Sequence, residues 1–332
     1  MTRTDLKAVT SNQEEWVEKA KKYLQQADEV GTRTISRTAR YSQHEFLSSV
    51  PWKHNTEHEI KYTILAAEAF RIGGEHYWHD CAKAYAHAAS LYVDALQDPQ
   101  NAANYYYYTE AGVVMEKVDT DFSNDYYRQA VTHHCDSSQY NEGAMLQERM
   151  ANNYRKKEDF EAAIHEYKRA TKLYNAANTK DSADRTLDHV AYLWGKTGHF
   201  RESADAYESL AMSQLDQNVK KLNAPETFLR AGLMLLCASV CTSVESDLKE
   251  VQQLFHRIYS ADCRFEESRE HIFLADIICC VSSGDLDMFS DCTYSFYKLF
   301  NGFDDLMLIA LEGTKDVVTR RSEKCKAKND ET

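Results

Sequence analysis

Apolar and small residues recur at three- and four-residue steps through most of the chain. Trp16, Val17, Ala20, Tyr23, Leu24 and Ala27 follow the capping box Ser11-Asn-Gln-Glu14, and Ile60, Ile64, Ala67 and Phe70 follow a second, Thr56-Glu-His-Glu59. This is the period of an amphipathic helix, begun by a hydroxyl and a carboxylate that satisfy its first N–H groups. The first helix is expected to end near Gly31 and the second at Gly73-Gly74, with a long polar loop over residues 31–55 between them. A partner arm follows over 75–97, closed by Asp98-Pro99, and further arms are expected near 100–117, 121–135, 140–155, 158–176, 179–196 and 199–215. After Pro225 the pattern is more apolar and less regular, with helices near 224–241, 244–259, 265–282, 285–300 and 303–319.

The phrases repeat. Tyr127-Arg-Gln-Ala130 returns as Tyr167-Lys-Arg-Ala170 and Tyr207-Glu-Ser-Leu210, forty residues apart, and the same offset relates Phe160-Glu-Ala-Ala163 to Phe200-Arg-Glu-Ser203. A period of this size marks stacked helical hairpins. Each hairpin is too small to bury its own apolar face, so neighbours share a core and present an extended surface suited to binding proteins. The expected fold is all-α: a right-handed α-solenoid of TPR-like helical hairpins over residues 12–222 and a C-terminal helical bundle over 223–319, between flexible ends at 1–11 and 320–332. Three prolines and eleven glycines are too few for the turns of a sheet protein.

A formal net charge of -13 argues against a general nucleic-acid binder, which needs clustered Lys and Arg to displace counterions from phosphate. The nine cysteines form no Cys-x-x-Cys pair and no signal peptide precedes them, which reads as reduced thiols in the cytoplasm. The longest apolar stretches fall short of the ~20 residues that span a bilayer.

Catalytic signatures are missing: there is no phosphate-binding Gly-rich loop, no His-Glu-x-x-His helix and no nucleophile elbow. No enzymatic activity and no cofactor are expected. His76, His79 and Cys81, and His133-His134-Cys135, are metal-ligand types, but side chains adjacent on a helix diverge by about 100°, so no metal is expected. Phe46, Leu47, Val50 and Trp52 are apolar within the expected loop. They read either as a staple against neighbouring helices or as a shallow membrane-attachment site, with Lys53 to meet anionic headgroups. Arg128, Lys168, Arg169, Lys172, Arg185, Lys220, Lys221 and Arg230 recur on an otherwise acidic chain, either as a solvated face or as a cationic strip for an acidic partner.

The order of these pieces resembles the soluble NSF attachment proteins. Phe46-Leu-Ser-Ser-Val-Pro-Trp52 stands where that family has an apolar membrane loop. Cys81-Ala-Lys-Ala-Tyr-Ala-His-Ala-Ala89, Asp159-Phe-Glu-Ala-Ala-Ile-His-Glu-Tyr-Lys-Arg-Ala170 and Asp181-Ser-Ala-Asp-Arg185 are similar to its repeats, and Ser283-Gly-Asp-Leu-Asp287 to a turn of its C-terminal bundle. The resemblance implies a non-enzymatic adaptor, peripheral to membranes, that lies in several copies along a SNARE four-helix bundle and recruits the hexameric ATPase NSF. It is expected to be a monomer alone. It further implies that Arg185 and Lys221, with Arg230, Lys172 and Lys220, face the SNAREs, and that Asp285 and Asp287 face the ATPase. Gln139, Met145 and Pro225 replace basic residues of the family, and Cys279, Ser282 and Ser283 replace acidic ones. The alternative is a general TPR-like scaffold unrelated to SNAREs.

Overall fold

The computed structural model describes residues 3–40, 51–96, 103–217, 219–238, 244–300 and 302–330, and every regular element among them is helical. There are fourteen α-helices among these residues: α1 (Arg3–Arg40), α2 (Pro51–Gly73), α3 (Trp78–Leu96), α4 (Ala103–Met115), α5 (Thr120–Asp136), α6 (Tyr140–Lys156), α7 (Phe160–Ala176), α8 (Lys180–Lys196), α9 (Phe200–Leu215), α10 (Ala224–Ala238), α11 (Val244–Ala261), α12 (Arg269–Ser283), α13 (Leu286–Phe300) and α14 (Asp305–Asp330).

The chain divides into two compact units. The first comprises residues 1–159 and 172–178, the second 160–171 and 179–332, so that α7 contributes to both. In the first unit each helix from α1 to α6 packs on the next, the arrangement short turns impose on antiparallel arms. In the second, α8 packs on α9 and α9 on α10, after which α10 also meets α11, α12 and α14. One buried core there joins Ala191, Tyr207 and Leu210 to Phe228, Leu274 and Leu311, so residues 222 and 223, where a boundary was expected, both lie inside this unit.

The repeat has a chemical basis at each level. Tyr127, Tyr167 and Tyr207 are all buried, at 0, 0 and 1 % exposure. Ser123 Oγ donates to the Gly112 carbonyl at 2.8 Å, and eighty residues on Ser203 Oγ donates to the Ala191 carbonyl at 2.8 Å. Each bond ties the start of one arm to the end of the previous arm. The turns recur at half the period: Ser138, Glu158, Asn178 and Gly198 all have positive φ, at 59, 62, 56 and 83°. After three of them the next backbone N–H reaches back to close the helix, Gln139 to His134, Asp159 to Tyr154 and His199 to Trp194.

Helix α1 does not stop near Gly31. Thr32 Oγ1 donates to the Asp28 carbonyl at 2.7 Å within a continuing helix, and a Cβ at Gly31 would lie 2.7 Å from Glu59 Oε1. This glycine therefore marks a close approach of α1 to α2. Helix α2 starts at Pro51, a residue suited to a first helical position, and Thr56 is buried inside it rather than capping it. Much of the expected 31–55 loop is thus helical, as α1 reaches Arg40. At the other end α14 continues to Asp330 through a segment expected to fray. Its backbone at Arg321 and Ser322 lies against Gly284, where a Cβ would come within 2.8 Å of the Ser322 nitrogen.

Candidate functional site

The predicted basic residues of the second unit gather around α8, and the organising groups are acids. Ala183, Leu187, Val190 and Ala191 form the apolar face of this helix, and Asp184 and Asp188 stand on the same side at i, i+4 spacing. Asp184 is buried. It accepts from Ser213 Oγ at 2.8 Å and Gln217 Nε2 at 2.6 Å, and Lys220 Nζ lies 3.5 Å away. Lys220 also pairs with Asp181 at 2.8 Å, so its charge is neutralised within the protein.

Arg230 is neutralised in the same way. Its Nη2 donates to Glu226 and to Asp304, both at 2.8 Å, and its side chain is only 23 % exposed. Burial pulls the Arg230 pKa down, but Asp304, Glu226 and the nearby Tyr207 and Asp188 outweigh it and the net shift is upward. Asp188 answers from the other side: desolvation pushes its carboxyl up, against a smaller opposing pull from Arg230. Tyr192 adds a hydrogen bond to Asp305 Oδ2 at 2.5 Å, so α8 and the start of α14 are joined next to this nest.

Arg185 is exposed and follows Asp184, about 100° around the helix from it. Lys221 is half-buried in a short 3-10 helix, Lys221–Asn223, and Asp262 is held below the usual carboxylate range first by its hydrogen bond with Arg264 and to a smaller extent by Lys221. Lys172 is exposed on α7, in the first unit. Of the other cations, Arg128 donates to Asp125 at 2.6 Å and to the Tyr154 hydroxyl at 2.7 Å, while Lys168 sits over the Trp194 ring at 4.4 Å.

Asp285 has a local task. Its Oδ1 accepts from the Met288 N–H at 3.0 Å and so caps α13, whereas Asp287 is exposed in the first turn. Phe46, Leu47 and Val50 lie outside the described residues; Trp52 falls in the first turn of α2. The histidines take aromatic and polar partners: His79 meets the edge of Phe122, His133 stacks on Tyr108 and His134 shares a 3.1 Å hydrogen bond with Gln139. Among the described residues no group of three His, Cys, Asp or Glu side chains is placed to hold a metal ion, and no helix is long and apolar enough to cross a membrane.

Sequence reasoning missed Asp184 and Asp188, and it missed Val219 and Leu222, which are 91 and 88 % exposed on the turn between α9 and α10. The spacing of the two acids along an apolar helix face was the available signal for the first pair. Nothing in the pattern singles out the second.

Residues 11–308 match the family described as soluble NSF attachment protein, SNAP. The chain is 25 % identical over 237 residues to a probable vesicular-fusion protein sec17 homolog of Neurospora crassa, covering 71 % of this chain and 77 % of that one. It is 22 % identical to an alpha-soluble NSF attachment protein of Vitis vinifera, over 65 % of this chain and 73 % of the other. A Dictyostelium discoideum protein of the same name is 24 % identical, over 58 and 64 % of the two chains. With the match running through both compact units, from α1 into α14, the chain belongs to the soluble NSF attachment protein family.

Proposed function

We propose that the chain is an adaptor of vesicular membrane traffic, which binds assembled SNARE complexes and recruits an NSF-type ATPase for their disassembly while performing no chemistry of its own. The observation that carries this reading is the family match over residues 11–308, supported by relatives named for vesicular fusion and NSF attachment. A SNARE four-helix bundle is an acidic rod, and cationic groups on a rigid helical surface orient such a partner and speed its capture. Arg185 and Lys221 are the contacts assigned to that role here, with Lys172 on α7. Lys220 and Arg230 belong to the same assignment, each held in place by ion pairs, Lys220 with Asp181 and Asp184 and Arg230 with Glu226 and Asp304. Phe46, Leu47, Val50 and Trp52 are assigned to peripheral contact with a membrane on its cytoplasmic side. Asp287, with Asp285 holding its helix start, is assigned to the ATPase. The protein is a monomer alone, and several copies surround one bundle, so that modest single contacts add through avidity.

A pull-down with a preassembled SNARE complex tests this. Capture at low salt, weakened at high salt and lost on joint reversal of Arg185→Glu and Lys221→Glu, is the expected result. No capture at low salt overturns the proposal. Capture insensitive to both charge reversals assigns the surface to a different kind of partner.

A further inference from the structure

The turn between α9 and α10 combines features that its sequence would not suggest. Val219 and Leu222 bracket Lys220 and Lys221 and are almost wholly exposed. Single exposed aliphatic residues are ordinary, but these two stand on a segment fastened at both ends. Gln217, at its start, donates to Asp184 at 2.6 Å, and Lys220, at its middle, reaches Asp181 at 2.8 Å and Asp184 at 3.5 Å. Beyond it, Thr227 of α10 donates to Gln214 of α9 at 2.9 Å. A buried carboxylate is costly unless its lone pairs are filled, and Asp184 fills them with donors from the end of α9 and from the turn itself.

We infer that Asp184 is a positioning residue: through Ser213, Gln217 and Lys220 it holds residues 216–217 and 219–223 in one shape, so that Val219, Leu222 and Lys221 meet the acidic helical bundle as a preformed knuckle. This rests on the adaptor reading above and adds to it a residue that never touches the partner. Holding a loop in its bound form removes an ordering cost from binding, so losing the hold weakens capture even though the contacting side chains are intact.

The test has two arms on the full chain. In the first, hydrogen exchange of the unbound protein compares the wild type with Asp184→Ala and Gln217→Ala, the latter removing the grip from the solvent side while leaving α8 untouched. Faster exchange confined to the turn between α9 and α10 is expected in both, and an unchanged turn overturns the inference. In the second, capture of a preassembled SNARE complex is measured in a double-mutant cycle. Gln217→Ala should weaken capture by about tenfold alone and by no more than roughly twofold when Val219→Ser and Leu222→Ser are already present. Asp184→Asn, which keeps an acceptor for Ser213, should recover part of the loss. Additive losses overturn the inference and leave the adaptor reading standing, whereas a wild type that captures nothing overturns both.

Discussion

The first compact unit buries itself through alanine and tyrosine, in small clusters between successive helices. One holds Val17, Ala20, Ala67, Phe70 and Met115, and another Tyr108, Tyr127, Leu146 and Met150, with Tyr85 and Tyr92 stacked on Tyr107 at 6.0 and 5.9 Å. The second unit buries leucine, phenylalanine and methionine in one continuous core that runs from α8 to α14, where Phe273 and Phe296 stack at 4.0 Å. Its contacts are distant in sequence, since α10 and α8 both pack on α14. Local clusters of small side chains let hairpins be added one at a time, whereas a shared core makes seven helices depend on one another. The same buried tyrosine serves both: Tyr127 lies under Arg149 at 5.6 Å, and Tyr207 adjoins Arg230.

The contrast is broken or upheld most directly by deleting one ring in each unit. Phe228 is 1 % exposed and edges onto Phe265 at 5.7 Å, and its change to Ala should cost about 3–5 kcal/mol, the range for a buried aromatic. Tyr127→Ala should cost a similar amount. The outcomes should differ in reach: hydrogen exchange should accelerate across α8 to α14 together in the first variant, but only in α4, α5 and α6 in the second. Loss of protection limited to α10 and α11 in Phe228→Ala would show that the second unit also consists of separable clusters.

A smaller effect probes how tightly the first unit's arms approach. A Cβ at Gly112 of α4 would sit 2.4 Å from Tyr127 Cε1 and 2.6 Å from Cδ1, and the ring is fully buried. Overpacking of this kind costs about 1–3 kcal/mol and exceeds the gain of about 1 kcal/mol that alanine brings to a helix interior. Gly112→Ala should therefore lower the denaturation midpoint. Gly143 supplies the control within that measurement, because a Cβ there meets His134 Cβ at an ordinary 3.5 Å. A Gly112→Ala protein as stable as the wild type would show that Tyr127 is not pinned.

What could be read from the sequence follows the same division. Local structure was legible: the tyrosine period, the arms of the hairpins, and the apolar run of α10, buried continuously from Ala231 to Ala238. Of the four turns with positive φ, Asn178 and Gly198 are residue types that tolerate it, whereas Ser138 and Glu158 are not, so residue type alone does not reveal those two. Gly31 misled because glycine serves both helix ends and close helix contacts, and only the position of Glu59 separates the two. The site was legible only in part for an electrostatic reason. Lys220 and Arg230 look like free cations in a one-dimensional reading, and their neutralisation depends on Asp181, Asp184 and Asp304, all of which are more than thirty residues away.

The smallest expected effect concerns the charges beside the two tyrosines, and it should differ in sign between the units. Asp188 is raised above the ordinary Asp value mainly by burial, so in acid the folded state keeps its proton after the unfolded chain has released it. The folded state then binds more protons than the unfolded one, and stability falls as pH rises through this interval, leaving a residual cost at neutral pH. Asp188→Asn should remove that slope and raise stability at pH 7, while Arg230 retains Glu226 and Asp304. Below an Asp value of ~3.9 the two proteins should converge. In the first unit Arg149 is exposed and has a bidentate partner, Glu116 at 2.6 and 2.9 Å, and the matching change Glu116→Gln should destabilise slightly instead, by removing the carboxylate from this charge-assisted pair. Denaturation across pH 3–8 checks both. A drop in stability for Asp188→Asn at pH 7 would mean that its attraction to Arg230 outweighs its burial, and that the arginine nests of the two units work alike.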